Sequence, residues 1–443
     1  MADMVQNRRI LQQFVPPRRW QNTDCGGRTL WGSLLSMKTS NAIQAIFERF
    51  FNGGLPALLI LFARLLQNAN GFILTAIVAY RYGLDAVGTL TLATIPITLF
   101  ALFGTFGLHF RLAQINVNNG VRNTIGLVSA AASLPVIVII ALMFGMVFGH
   151  NPAEQLQLSA IALSAPYFAQ CNVMNALQVL QGKEAQSIIA PALNSLGLVA
   201  GAFSNDFSNF CLVVLAFRML GIAIPYMLLP HDFSAFGQAF GHLRSGLRYL
   251  FSDAVLVASD TMILLLSAHI LGRSDLGVLG ICRQLLTASD TPGWANLQSV
   301  YPKIVTGDDA YFRGLIRSML RLGALLAIVV TAVAVPMGIY VFKVGDLWFF
   351  AAILMSSVPA RYVVVCIETH LKARGAVSYA NWLTAARAIV GFVVVGVATV
   401  SGGLLGHIVA LACFFISLAV VEYALTLHNK QPGSVALGAG EAL

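Results

Sequence analysis

The chain is a succession of apolar stretches, each about 20 residues long, separated by short polar connections. Apolar positions within a stretch are continuous and do not alternate, which predicts helices and excludes a β-barrel. At 1.5 Å per residue, a bilayer core takes about 20 apolar residues per helix. Twelve stretches of this kind are legible, at roughly residues 56–80, 86–109, 124–149, 157–181, 186–204, 207–230, 248–271, 276–300, 319–342, 347–371, 377–399 and 404–427. The expected fold class is an all-α polytopic membrane protein. Residues 231–247 form a long polar connection that divides six spans from six. This predicts a basic arm over 1–50, a first lobe over 51–230, a cytoplasmic linker over 231–247, a second lobe over 248–428 and a tail over 429–443.

The two halves echo each other. Gly83-Leu84-Asp85-Ala86-Val87-Gly88 follows the first span, and Gly272-Arg273-Ser274-Asp275-Leu276-Gly277 follows the seventh. Each is a pair of glycines with four residues between them, at the outer turn of a helical hairpin and in the same place in each half. A repeat of this kind, with a cavity between two lobes, suits alternating access.

Composition agrees, with 58% hydrophobic and 10% charged residues, where a soluble chain carries about a quarter charged. A soluble enzyme, a disordered chain and a coiled-coil rod are excluded. The excess of 27 basic over 18 acidic residues would suit nucleic acid, but placement gives a topological cause. With the N-terminus inside, nineteen Lys and Arg fall in cytoplasmic segments, three in outer loops (Arg81, Arg273, Lys343) and five within spans. This is the positive-inside asymmetry. No nucleic-acid partner is expected, and both termini are predicted to be cytoplasmic. Residues 1–50 lack the apolar region of a signal peptide. The first ~35 read as poorly ordered by composition, Met37 reads as a natural start, and residues 39–52 have the spacing of a surface amphipathic helix. The six cysteines are scattered, without disulfide or metal-ligand spacing, so no metal site is expected.

Charges inside the membrane carry the functional signal, because each must face protein or a wet cavity. Arg64, Arg218, Arg283, Arg361 and Arg387 lie at mid depths and are expected to share one cationic cavity that suits an anionic substrate, since a guanidinium forks onto phosphate oxygens. Asp260 and Asp290 lie mid-span in helices seven and eight, with Arg283 seven residues from Asp290 and on the same face. The expected arrangement is an Asp260–Arg283–Asp290 cluster that is either a static ion pair or an ion-coupling site for a proton or sodium. Asp253, Glu368 and Glu422, near cytoplasmic ends, read as snorkelling or capping residues. Pro292 and Gly293 are predicted to kink helix eight and serve as a hinge.

The six-plus-six plan, the outer turn Tyr80 to Leu90, Phe103-Gly104-Thr105-Phe106-Gly107-Leu108, Ala258-Ser259-Asp260-Thr261-Met262-Ile263 and Tyr301-Pro302-Lys303-Ile304 carry a resemblance over about residues 50–430. Together they resemble the polysaccharide-transporter, O-antigen flippase branch of the multidrug/oligosaccharidyl-lipid/polysaccharide (MOP) flippase superfamily. The resemblance implies two lobes in a V that flip an undecaprenyl-pyrophosphate-linked oligosaccharide across the bacterial inner membrane, driven by a proton or sodium gradient. It implies no other cofactor, and polysaccharide polymerase and chain-length proteins as further partners. An acidic residue is frequent in the family pattern at the position of Asp260. The arginine assignments come from depth alone.

Rival readings are a multidrug or metabolite exporter of the same fold, and a membrane glycosyltransferase or polymerase. The first span carries Arg64 and no carboxylate, which weighs against a cation pump. The outer loops are short, with His150 and Glu154 the nearest thing to an acid/base pair, which weighs against an enzyme. Gly182-Lys183-Glu184 lacks the phosphate-loop pattern, which weighs against ATP-driven transport.

Overall fold

The computed structural model describes residues 54–428 except 107, 109–111, 113, 114, 116, 247–250, 307, 308, 374 and 375. The predicted basic arm, its amphipathic helix and the C-terminal tail lie outside these residues. The described residues are helical, with no strand among them. The protein is a multi-pass membrane protein: among the described residues seven helical stretches are long and apolar enough to cross a bilayer, and the last, Tyr379–Leu425, has 47 residues, enough for two crossings.

The first half comprises α1 (Gly54–Tyr82), α2 (Leu84–Phe103), α3 (Asn119–Phe148), α4 (Pro152–Ala162), α5 (Ala165–Leu180), α6 (Ile189–Ala202) and α7 (Phe207–Met227). Helix α8 (Phe236–Gly246) lies between the halves. The linker expected as a polar connection is thus helical. Its Ala235, Ala239 and Leu243 are buried one turn apart, while Phe233, Phe236 and Phe240 are exposed. The second half comprises α9 (Phe251–Ile270), α10 (Arg273–Thr306), α11 (Asp309–Met337), α12 (Leu347–Met355), α13 (Val358–Ala373) and α14 (Val377–His428). Helix α14 contains the eleventh and twelfth spans, which turn back on each other at Gly403, whose φ of 58° and ψ of −141° only glycine takes without strain.

Two spans expected to be continuous are broken, and in matching ways. The fourth is split into α4 and α5 at Ser164-Ala165-Pro166, and the tenth into α12 and α13 at Ser357-Val358-Pro359. Proline has no N–H for the helix ladder, so a new helix starts there. In each break the serine hydroxyl donates to a carbonyl three residues back, Ser164 to Ile161 and Ser357 to Leu354, both at 2.6 Å. This Ser-x-Pro pair is a second trace of the internal repeat.

The halves meet where α2 packs against α10, and the paired glycines make the contact possible. A Cβ on Gly88 would lie 2.0 Å from the Arg273 carbonyl oxygen, and a Cβ on Gly277 would lie 2.4 Å from that of Leu84. Leu84 and Arg273 occupy the same position in the two repeats, as do Gly88 and Gly277, so the contact is reciprocal, as in an isologous interface. A turn further on, a Cβ on Gly280 would lie 1.9 Å from Thr91 Oγ1.

The same end is tied by charge. Arg273 Nε donates to Glu154 Oε1 at 2.9 Å and Arg273 Nη2 to the Phe148 carbonyl at 2.8 Å, from the second half to the first. His150 Nδ1 is 3.0 Å from the other carboxylate oxygen. The Lys343 ammonium lies 5.1 Å over the Tyr80 ring. Burial works to raise the Glu154 pKa, but the backbone N–H and ring of His150 and the Arg273 guanidinium outweigh it, so the carboxyl is held below its ordinary value.

This contact is open to two measurements. Gly277→Leu should cost about 1–3 kcal/mol by overpacking, read as a lowered Tm in detergent, whereas Gly272→Ala, with nothing within 4 Å of its Cβ, should leave the Tm unchanged. A depressed carboxyl pKa contributes stability above its unfolded value, 4.5, that is lost as pH falls through the lower folded value. Acidification through that range should therefore lower the Tm of the parent protein more than that of Glu154→Gln, measured in parallel melts.

Candidate functional site

A cavity of about 640 Å³ lies between the halves. Thr98, Ala101 and Thr105 of the α2 segment and Asn172 of α5 line it from the first half. Thr98 is about 15 Å along α2 from Gly88, so the cavity begins well beyond the closed contact. The second half supplies most of the wall, including Asp260, Asp290, Arg361, Glu368 and Arg387, with Leu411, Phe414 and Phe415 as an apolar side.

Each charge on that wall has a partner. Arg361 forks onto Asp290, with Nε to Oδ1 at 3.1 Å and Nη2 to Oδ2 at 2.5 Å, and its guanidinium lies 4.4 Å over the Phe415 ring. Arg387 bridges two carboxylates, Glu368 at 3.3 Å and Glu422 at 3.0 Å. Arg283 lies 3.9 Å from Asp260. Asp260 is the most open of these groups, its side chain 72% exposed toward the cavity.

Two of the five arginines expected in one cationic chamber, Arg361 and Arg387, are therefore on the wall, and both are neutralised. Arg283 reaches the cavity through Asp260. Arg218 lies elsewhere, 3% exposed in the core of the first half, donating to Asn194 Oδ1 at 2.9 Å and Ser164 Oγ at 2.7 Å beside the Phe168 ring. It secures the broken turn between α4 and α5. Arg64 is on α1, and its side chain and that of Asp253 lie outside the described residues.

The expected Asp260–Arg283–Asp290 cluster is divided: Asp260 has Arg283, and Asp290 has Arg361 from α13. Glu368 and Glu422, read as snorkelling or capping residues, are instead partners of Arg387, Glu368 on the cavity wall and Glu422 buried. Their partner stands 19 and 35 residues away in sequence, so no local spacing shows the pairing. The wall carries three carboxylates against two arginines.

Pro292 and Gly293 sit within α10, beside Asp290. The Tyr362 hydroxyl enters the helix ladder here. It donates to the Ser289 carbonyl and accepts from the Gly293 N–H at 3.0 Å. Those two groups would pair with each other in an uninterrupted helix. Pro292 cannot donate, so two consecutive ladder bonds are displaced, a recognised cause of helix bending. Gly293 leaves room for the ring, since a Cβ there would lie 2.4 Å from Tyr362 Cζ. The residues expected as a hinge are thus joined to Arg361 through its neighbour Tyr362.

Arg361→Gln should cost about 1.5–3 kcal/mol of stability by stranding Asp290 without its fork. The double variant Arg361→Gln/Asp290→Asn should recover part of that loss, and unfolding of both in detergent gives the coupling as a double-mutant cycle.

No protein-family model matches the chain, and no curated protein matches it. Solved structures share its fold. The lipid II flippase MurJ in an inward closed conformation superposes with a TM-score of 0.66 at 10% identity, over 84% of this chain and 87% of that one. An inward-facing multidrug resistance MATE family transporter of the MOP superfamily gives 0.56 at 13%, over 82% and 94%. The MATE multidrug transporter DinF-BH gives 0.56 at 15%, over 84% and 94%. The architecture of this chain, about twelve helices in two six-span halves around a central cavity, is that of the MATE and MOP flippase fold.

Proposed function

We propose that this protein is a secondary transporter working by alternating access, and that it flips an undecaprenyl-pyrophosphate-linked oligosaccharide across a bacterial inner membrane for surface polysaccharide synthesis. The observation that carries the reading is a large cavity between two repeat-related halves, shut at one end by glycine contacts and an ion pair, with bidentate arginine on its wall. The distribution of basic segments supports a closed end outside and both termini in the cytoplasm. In that orientation the cavity receives substrate from the inner leaflet.

Arginines matched by carboxylates change how an anion would bind. A pyrophosphate presents several oxygens to the same planar fork that Asp290 occupies, so it competes for Arg361 by exchange of partner. Binding then frees Asp290, beside the opened stretch of α10. In this way headgroup binding acts on the Pro292–Gly293 joint through contacts already made. Asp260, open to the cavity, is the group best placed to hold a coupling proton or sodium ion. The lipid bilayer, a polysaccharide polymerase and its chain-length partner complete the setting.

The acidic balance of the wall favours a second reading, export of a cationic compound by a multidrug transporter, the activity that the names of the MATE neighbours state for those proteins. The two separate experimentally. In cells lacking their own flippase, Arg361→Ala should abolish surface polymer while the protein still inserts in the membrane. Normal polymer in every single and paired variant of Arg283 and Arg361 would remove the flippase reading. Extrusion of a lipophilic cationic dye that Asp260→Asn abolishes would establish the second.

A further inference from the structure

His407 lies on the second limb of α14 and is 0% exposed. Its Nδ1 is 3.0 Å from two hydroxyl oxygens, Ser267 Oγ of α9 and Thr399 Oγ1 of the first limb of α14. Each hydroxyl also lies against a carbonyl oxygen one helical turn back. Ser267 Oγ is 2.8 Å from the Ile263 oxygen, and Thr399 Oγ1 is 2.6 Å from that of Val395. A carbonyl only accepts, so at these distances each hydroxyl proton lies between the two oxygens. Neither hydroxyl then has a proton to give His407. Both accept, and Nδ1 must be the donor, its one N–H shared between them. That assigns the neutral ring to the Nδ1–H form and leaves Nε2 as a bare lone pair. Among the described residues, no side chain or backbone group bonds to Nε2, which is buried.

Nδ1–H keeps the same two acceptors whether the ring is neutral or charged, so Nε2 can gain or lose a proton without rearranging the network. The charged group whose field reaches the ring is Arg283 of α10. Asp260 of α9, 3.9 Å from Arg283, lies about 10 Å along the helix from Ser267. His407 itself is four residues beyond the Gly403 turn, about 6 Å in depth. The ring therefore stands between the outer turn and the Asp260–Arg283 pair on the cavity wall.

We propose that Nε2 of His407 is a proton-binding site of the second half, set between the outer face and Asp260. As a step in coupling, it rests on the secondary-transport reading above. The assignment of a bare, unpartnered Nε2 does not, because it follows from the hydroxyl network.

The test uses the full chain in lipid nanodiscs, with its histidines labelled with 15N in the ring. His407 is one of 8 histidines, so its signal is the one missing in His407→Gln. The expected result at about pH 8.5 is a protonated Nδ1 and a bare Nε2. Acidification toward about pH 4 should shift Nε2 upfield to the protonated form, with Nδ1 still bonded. An Nε2–H form with bare Nδ1, or a ring that stays neutral throughout, would overturn the proposal. If His407→Gln fails to fold, Ser267→Ala/Thr399→Val serves instead. It should lose the tautomer preference and still titrate, and an unchanged Nδ1–H in that variant would equally overturn the assignment. A titrating His407 in a protein that moves no lipid-linked substrate upholds the site and counts against the transport reading alone.

Discussion

The structure depends on the cost of a bare charge in an apolar interior. Its deep guanidiniums resolve that cost in different ways. Arg361 and Arg387 are matched by carboxylates distant in sequence, Arg283 faces Asp260 near the cavity, and Arg218 is solvated by the neutral oxygens of Asn194 and Ser164. The matched pairs join α10 to α13, and the first limb of α14 both to α13 and to its own second limb, so the charges that shape the cavity also hold its wall together. The transport reading proposed above asks for this double character, since groups that bind an anion must be tolerable when the cavity is empty, and an ion pair that can exchange its anionic member satisfies both conditions.

Closure has a different physical origin. At the end shut by α2 and α10, the helices approach by backbone, and glycine is the only residue without a Cβ to hold them apart. The same pair of positions serves in both repeats, so each half presents the other with the contact it receives. The Arg273–Glu154 pair ties the same end by charge. The breaks at Ser164-Ala165-Pro166 and Ser357-Val358-Pro359 extend the repeat into the fourth and tenth spans. Proline interrupts the ladder in both, and the serine next to it compensates locally.

The class, the approximate number of spans and the two-lobe plan were legible in the chain itself. Apolar runs of bilayer length give the number of spans, since no other regular structure built from such runs satisfies its backbone in lipid, but not where a span breaks into two helices, as the fourth and tenth do. The paired glycines marked the repeat, because a turn with two fixed glycines is a local pattern, but that Gly88 and Gly277 make the contact between halves came from the fold. Pro292 marked the opened stretch of α10 for the same reason. Which charges meet was settled by packing alone. Depth along a helix is a one-dimensional quantity, and it grouped Arg218, which lies in the first-half core, with Arg361 and Arg387 on the cavity wall. Pairing depends on helix rotation and on which helices are neighbours, so Asp290 found Arg361 and not Arg283, and Glu368 and Glu422 turned inward to Arg387. The sense of the Nδ1 bond of His407 is of the same kind. It depends on two hydroxyls already committed to their own helices, a condition set in three dimensions and absent from any spacing along the chain.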